Sequence, residues 1–121
     1  MKPRSAKAKG RKLQQEVRDK LLKLYEGVLE TDDVTCTMMS ESGVDIKLSP
    51  LARKHIPYSI ECKNTEKIAI WQAIEQAKEN AKDKTDPAVV FRRNNSETYI
   101  VINFETFLKL ISPIDKQNPS S

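Results

Sequence analysis

Histidine and cysteine are scarce in this chain, which has His55 alone and only Cys36 and Cys62. A single imidazole excludes a histidine-based catalytic triad and any multi-histidine metal site. Two thiols this far apart make neither a zinc box nor a disulfide framework, so reduced core thiols are expected. His55, set among Arg53, Lys54 and Pro57, reads as an incidental residue of a surface loop. No apolar run approaches the roughly 20 residues of a membrane span. The basic N-terminus is not followed by an apolar segment, so it is no secretory signal. A cytoplasmic location is the expectation.

What the chain does have is charge, and charge unevenly placed. At 121 residues, with 38% hydrophobic and 31% charged residues, it suits one soluble domain with a modest core. The net charge is +4, and Lys2, Arg4, Lys7, Lys9, Arg11 and Lys12 all precede the first acidic residue, Glu16. Residues 1–9 therefore read as a flexible basic arm that can neutralise phosphates, with a solubilising tail as the plainer alternative.

A helix is expected from about Arg11 to Leu29, where Leu13, Val17, Leu21, Leu24 and Val28 form one stripe. Val34 to Met39 reads as a strand. Gly43 closes a tight connection to a second strand, Val44 to Leu48. Leu51 to Pro57 reads as a loop, and a third strand begins after Pro57. A helix follows to about Lys82, with Ile70, Trp71, Ile74, Ala77 and Ala81 as its apolar face. Trp71 is expected in the core rather than as a base-stacking platform. Ala88 to Phe91 and Thr98 to Asn103 read as further strands, and Phe104, Phe107, Leu108 and Ile111 as a closing helix. The tail from 113 to 121 is polar and reads as loose. The whole is an α/β domain over residues 10–112, with one mixed sheet flanked by helices.

The chemistry concentrates in Tyr58–Lys63 and Ser42–Asp45. With the two-residue period of a strand, Tyr58, Ile60 and Cys62 share one face and Ser59, Glu61 and Lys63 the other. In the second strand Val44, Ile46 and Leu48 face away from Asp45 and Lys47. If the strands are neighbours, Asp45 and Glu61 converge with Lys63 beside them. Two carboxylates and a lysine at a strand edge are what metal-assisted phosphodiester hydrolysis requires. A lone Glu-x-Lys is common in so charged a chain and usually marks a solvated pair. The preceding aspartate and the following glutamine-bearing helix distinguish this one.

Asp45 followed by Glu61-Cys62-Lys63, in an αβββαβ order, resembles the PD-(D/E)XK nuclease superfamily with its restriction-endonuclease-like core. Lys9-Gly10, Ser40 to Asp45, Ile60 to Asn64 and Trp71 to Ala77 look most like small Holliday junction resolvases of archaeal type and related phage nucleases. The superfamily usually has proline before the aspartate, where this chain has Val44. The resemblance implies Mg²⁺ or Mn²⁺ held by Asp45, Glu61 and the Cys62 carbonyl, with Lys63 activating water. It implies an assisting residue on the following helix, Gln76 rather than Gln72, and a helix-1 glutamate, for which Glu16 is the candidate. Glu16 lies further from Gly10 than that pattern expects. Ser40 and Ser42 would lie beside the scissile phosphate. Lys9, Arg11, Lys12, Asn64, Arg92 and Arg93 are candidate nucleic-acid contacts. The function implied is a metal-dependent DNA endonuclease acting on four-way junctions as a homodimer. A flap, nicking or restriction-like nuclease, or a non-catalytic nucleic-acid-binding module, are the alternatives.

Overall fold

A computed structural model describes residues 6–37, 44–82 and 84–113. Ser40, Ser42 and Gly43 lie outside them, as do most of the C-terminal tail and residues 1–5. Among the described residues no helix is long and apolar enough to cross a membrane.

The chain runs α1 (Ala6–Leu24), a 3-10 turn (Thr31–Asp33), β1 (Val34–Cys36), β2 (Ile46–Leu48), α2 (Pro50–His55) and β3 (Tyr58–Asn64). It continues through α3 (Ile70–Asn80), β4 (Asp86–Arg92), β5 (Tyr99–Ile102) and α4 (Phe104–Ile111). The fold is mixed α/β, but the described strands form two sheets rather than one. β1 and β2 make an antiparallel pair, and β3, β4 and β5 a mixed sheet in that order, β3–β4 parallel and β4–β5 antiparallel.

Two helix expectations need correction. α1 starts at Ala6, inside the segment read as a flexible arm, because Ala-Lys-Ala-Lys is good helix-forming sequence even without an apolar stripe. It stops at Leu24, and Gly27 adopts φ +86° to turn the chain, a conformation glycine takes without strain. Leu24 and Val28 are therefore exposed, and Leu21, Leu22 and Tyr25 pack on the core instead. The expected loop after β2 contains α2. Ser49 caps it by accepting from the Ala52 N–H at 3.0 Å, with Pro50 at the first helical position.

The larger core lies between α1 and one face of the sheets, gathering Leu13, Val34, Ile46, Ile60, Cys62, Ala88 and Val90. The smaller core, under α3, holds Ala73, Ala77 and Val89, flanked by Ile68, Phe91 and Val101. β3 is thus covered on both faces, and Ser59 and Glu61 are buried along with Ile60 and Cys62. α3 meets the sheet through its alanines. Trp71, expected in the core, is 76% exposed. Both cysteines are free thiols.

Candidate active site

Asp45 is fixed before it is used. The Thr37 N–H donates to the Asp45 carbonyl at 2.9 Å, and the Thr37 hydroxyl donates to the Val44 carbonyl. The Asp45 N–H donates to the Ile60 carbonyl at 3.2 Å, tying the start of β2 to the edge of β3. One residue pair further along, the ladder stops. The Cys62 N–H donates at 2.6 Å to Asp45 Oδ2 instead of a backbone carbonyl. A carboxylate wedged between the strands is a physical reason for two sheets where the sequence suggested one.

That hydrogen bond also orients Cys62. In an extended strand, a residue's N–H and C=O leave from the same edge. The Cys62 carbonyl therefore opens on the Asp45 side, away from β4. The Cys62 thiol is buried in the larger core, and burial pushes its ionisation up.

Glu61 lies on the α3 face and is only 2% exposed. Its Oε1 accepts from Asn80 Nδ2 at 2.8 Å. Burial raises its carboxyl from 4.5 to about 7, and Asp45 pushes in the same direction through charge and hydrogen bonding; Asn80 and Lys63 oppose the rise. Lys63 follows on the same face, and its Nζ donates to Gln76 Oε1 at 2.9 Å. Gln72 is exposed. Close packing through Ala73 and Ala77 brings α3 near enough for both Gln76 and Asn80 to reach β3. Asn80 was missed in the sequence, although it lies four residues after Gln76 on the same helical side.

The structure thus gathers Asp45, Glu61, Lys63, Gln76 and Asn80. Glu16 is elsewhere: its Oε2 pairs with Arg92 Nη1, and that hydrogen bond chiefly holds Glu16 below the ordinary carboxylate range. Lys9, Lys12, Glu16, Asn64, Arg92 and Arg93 line a cleft of about 550 Å³ at the carboxyl ends of β3 and β4. Asn64 Nδ2 donates to the Lys9 carbonyl at 3.1 Å, closing its floor. Arg11 is exposed on α1 and is not among the lining residues.

Among the described residues no group of three or more His, Cys, Asp or Glu side chains converges. Two carboxylates and a carbonyl nevertheless suit Mg²⁺, which keeps several waters and takes one or two carboxylates. Burial chiefly raises Glu61 and the Asp45 charge adds to the rise, and a divalent cation bound there would oppose both. Comparison of the chain with protein-family models, curated proteins and solved structures gave no match.

Proposed function

We propose that this chain is a divalent-metal-dependent DNA endonuclease with a restriction-endonuclease-like core, acting on branched DNA such as a four-way junction as a homodimer. The observation that carries the reading is the convergence of Asp45 and Glu61 beside Lys63, with Gln76 holding the amine. Asp45, Glu61 and the Cys62 carbonyl would hold Mg²⁺ or Mn²⁺, which supplies an acidified water and countercharge for the phosphate. Lys63 Nζ, kept in place by Gln76, stabilises negative charge as it develops on the phosphate oxygens. Asn80 fixes the Glu61 carboxyl and favours its charged form. The cleft of Lys9, Lys12 and Arg93 lies at the same end of β3 as Lys63 but on the α1 side, since Asn64 faces opposite to Lys63, so backbone phosphates would reach it by passing around that end of the sheet.

The test is cleavage of labelled four-way junction, flap and linear duplex with Mg²⁺. Paired nicks on the junction, lost in Glu61→Gln while DNA affinity persists, are expected. Cleavage retained by Glu61→Gln would overturn the assignment. Binding without cutting, indifferent to Lys63→Ala, would favour a non-catalytic binding module.

A further inference from the structure

At the opposite edge of the sheet from the carboxylates, α4 is turned the wrong way round for a helix of a lone domain. Phe104, Phe107, Leu108 and Ile111 recur at helical spacing and make one apolar stripe. All four are exposed, from 38% at Leu108 to 68% at Phe104. The one α4 residue buried against the rest of the chain is Thr106, and Lys109 on that side pairs with Asp86 at 3.6 Å. An eight-residue helix is marginal by itself. Burying a threonine adds little.

The strand leading into α4 has the same character. β5 pairs with β4 alone among the described strands, leaving its other edge open, and Tyr99 and Ile100 are more than half exposed. An apolar edge strand of this kind is an association site unless something covers it.

We propose that the outward face of α4, together with the β5 edge, is the surface on which a second copy of this chain docks across a two-fold axis. Area supports that occupant. With roughly 200 Å² for a whole aromatic side chain, the four α4 residues expose on the order of 400 Å² of apolar surface, and Tyr99 and Ile100, which point to opposite faces of the sheet, can extend that face by only one of the two. A standard interface buries about 800 Å² per partner, a little over half of it apolar. The patch is also poor in free cations: β5 has no ionisable group but Tyr99, and α4 carries only Glu105 and Lys109, the latter paired with Asp86. A nucleic acid would need free cations here. A two-fold axis places identical patches face to face and lets the two β5 edges pair antiparallel.

The need for two copies rests on the proposed paired cleavage, but the surface is identified independently of it. Because the interface lies at β5 and the carboxylates at β3, both catalytic edges stay open in the dimer.

Sedimentation velocity on the full chain tests this. Twice the 13.8 kDa chain mass is expected at micromolar concentration. Phe107→Glu with Leu108→Glu should halve the mass with an unchanged far-UV spectrum, since both positions are on the surface; Ile100→Lys provides a second, independent disruption. Glu61→Gln should remain dimeric. A monomeric parent chain, variants that stay dimeric, open-ended assemblies, or a monomer that instead binds phospholipid vesicles would each overturn the proposal. A dimer that cuts no DNA would defeat the nuclease reading and leave the interface standing.

Discussion

The Cys62 N–H donates to Asp45 Oδ2 at 2.6 Å, so a side chain completes a contact that a neighbouring strand would ordinarily make. Asp45 is therefore structural as well as a candidate ligand, and the two roles separate by mutation. Asp45→Asn keeps an acceptor oxygen and removes the like charge beside Glu61, so its stability should stay close to the parent's. Asp45→Ala leaves the amide unpaired and should cost about 1–3 kcal/mol in urea denaturation. Both should lose cleavage. Equal stability of the two variants would show that the hydrogen bond contributes nothing.

Glu61 gives a pH dependence whose sign is fixed by the direction of its shift. Its carboxyl titrates near 7 when folded and near 4.5 when unfolded, so between those values the folded state binds more protons. Without divalent cation, the contribution of Glu61 to stability should therefore be fully present below pH 4.5 and be lost as pH rises through 7, opposite in sign to the acid-side loss from Glu16 and Asp33, whose carboxyls are held low. At about 1.4 kcal/mol per pH unit, this is a loss on the order of 3 kcal/mol. Glu61→Gln should remove most of that slope. Mg²⁺ should raise the melting temperature of the parent chain at pH 8 more than at pH 5.5, because the cation needs the ionised carboxylate. A Mg²⁺ response of equal size in Glu61→Gln would argue against Glu61 as a ligand.

Much of this was readable from side-chain periodicity. The two-residue alternation in β3 puts Glu61 and Lys63 on one face, and the apolar stripe locates α1. Periodicity reports which side chains share a face, not what lies over it. It therefore could not say how deeply Glu61 would be covered, which the alanines of α3 decide by closing on it, and Trp71 looked buried although a helix seated on Ala73 and Ala77 turns it outward. The split sheet was hidden for a similar reason. Nothing in the sequence says that an aspartate will take a strand's amide.

Lys63 and Gln76 should differ in degree. Lys63→Ala removes the charge proposed to face the phosphate and should reduce single-turnover cleavage by about 10²–10³-fold. Gln76→Ala leaves the amine in place but free to wander, and a loss of about 10-fold to 100-fold is expected. DNA affinity should change little in either. Gln76→Glu would show whether holding the amine suffices, since it keeps an acceptor at the same reach. A Gln76→Ala enzyme with the parent's rate would make the 2.9 Å contact incidental.

The cleft at the carboxyl ends of β3 and β4 makes a claim about salt. Lys12→Ala with Arg93→Ala removes two cations that line it. If each meets a phosphate, the slope of log affinity against log salt should become shallower by about 2, at roughly 0.9 per contact with duplex DNA. Arg92 is paired with Glu16, so Glu16→Gln should release its guanidinium and tighten binding at low salt. Slopes unchanged by the double substitution would remove the cleft from the DNA path.

Asn80 offers the most discriminating variant, because it touches no proposed substrate atom and acts through Glu61 alone. Its Nδ2 donates to Glu61 Oε1 at 2.8 Å, a bond that favours the ionised carboxyl against the pull of burial. Asn80→Leu should therefore move Glu61 further up, and the acid limb of the pH–rate profile should shift to higher pH. At pH 9, where the carboxyl is ionised in both proteins, the variant should recover most of the parent's rate. Asn80→Asp tests the same contact with opposite charge: a third carboxylate should raise Glu61 as well, yet strengthen Mg²⁺ binding once all are ionised. A merely structural asparagine would lower the rate equally at every pH. Parallel pH–rate profiles for Asn80→Leu and the parent chain would thus reject its role in setting the charge of Glu61.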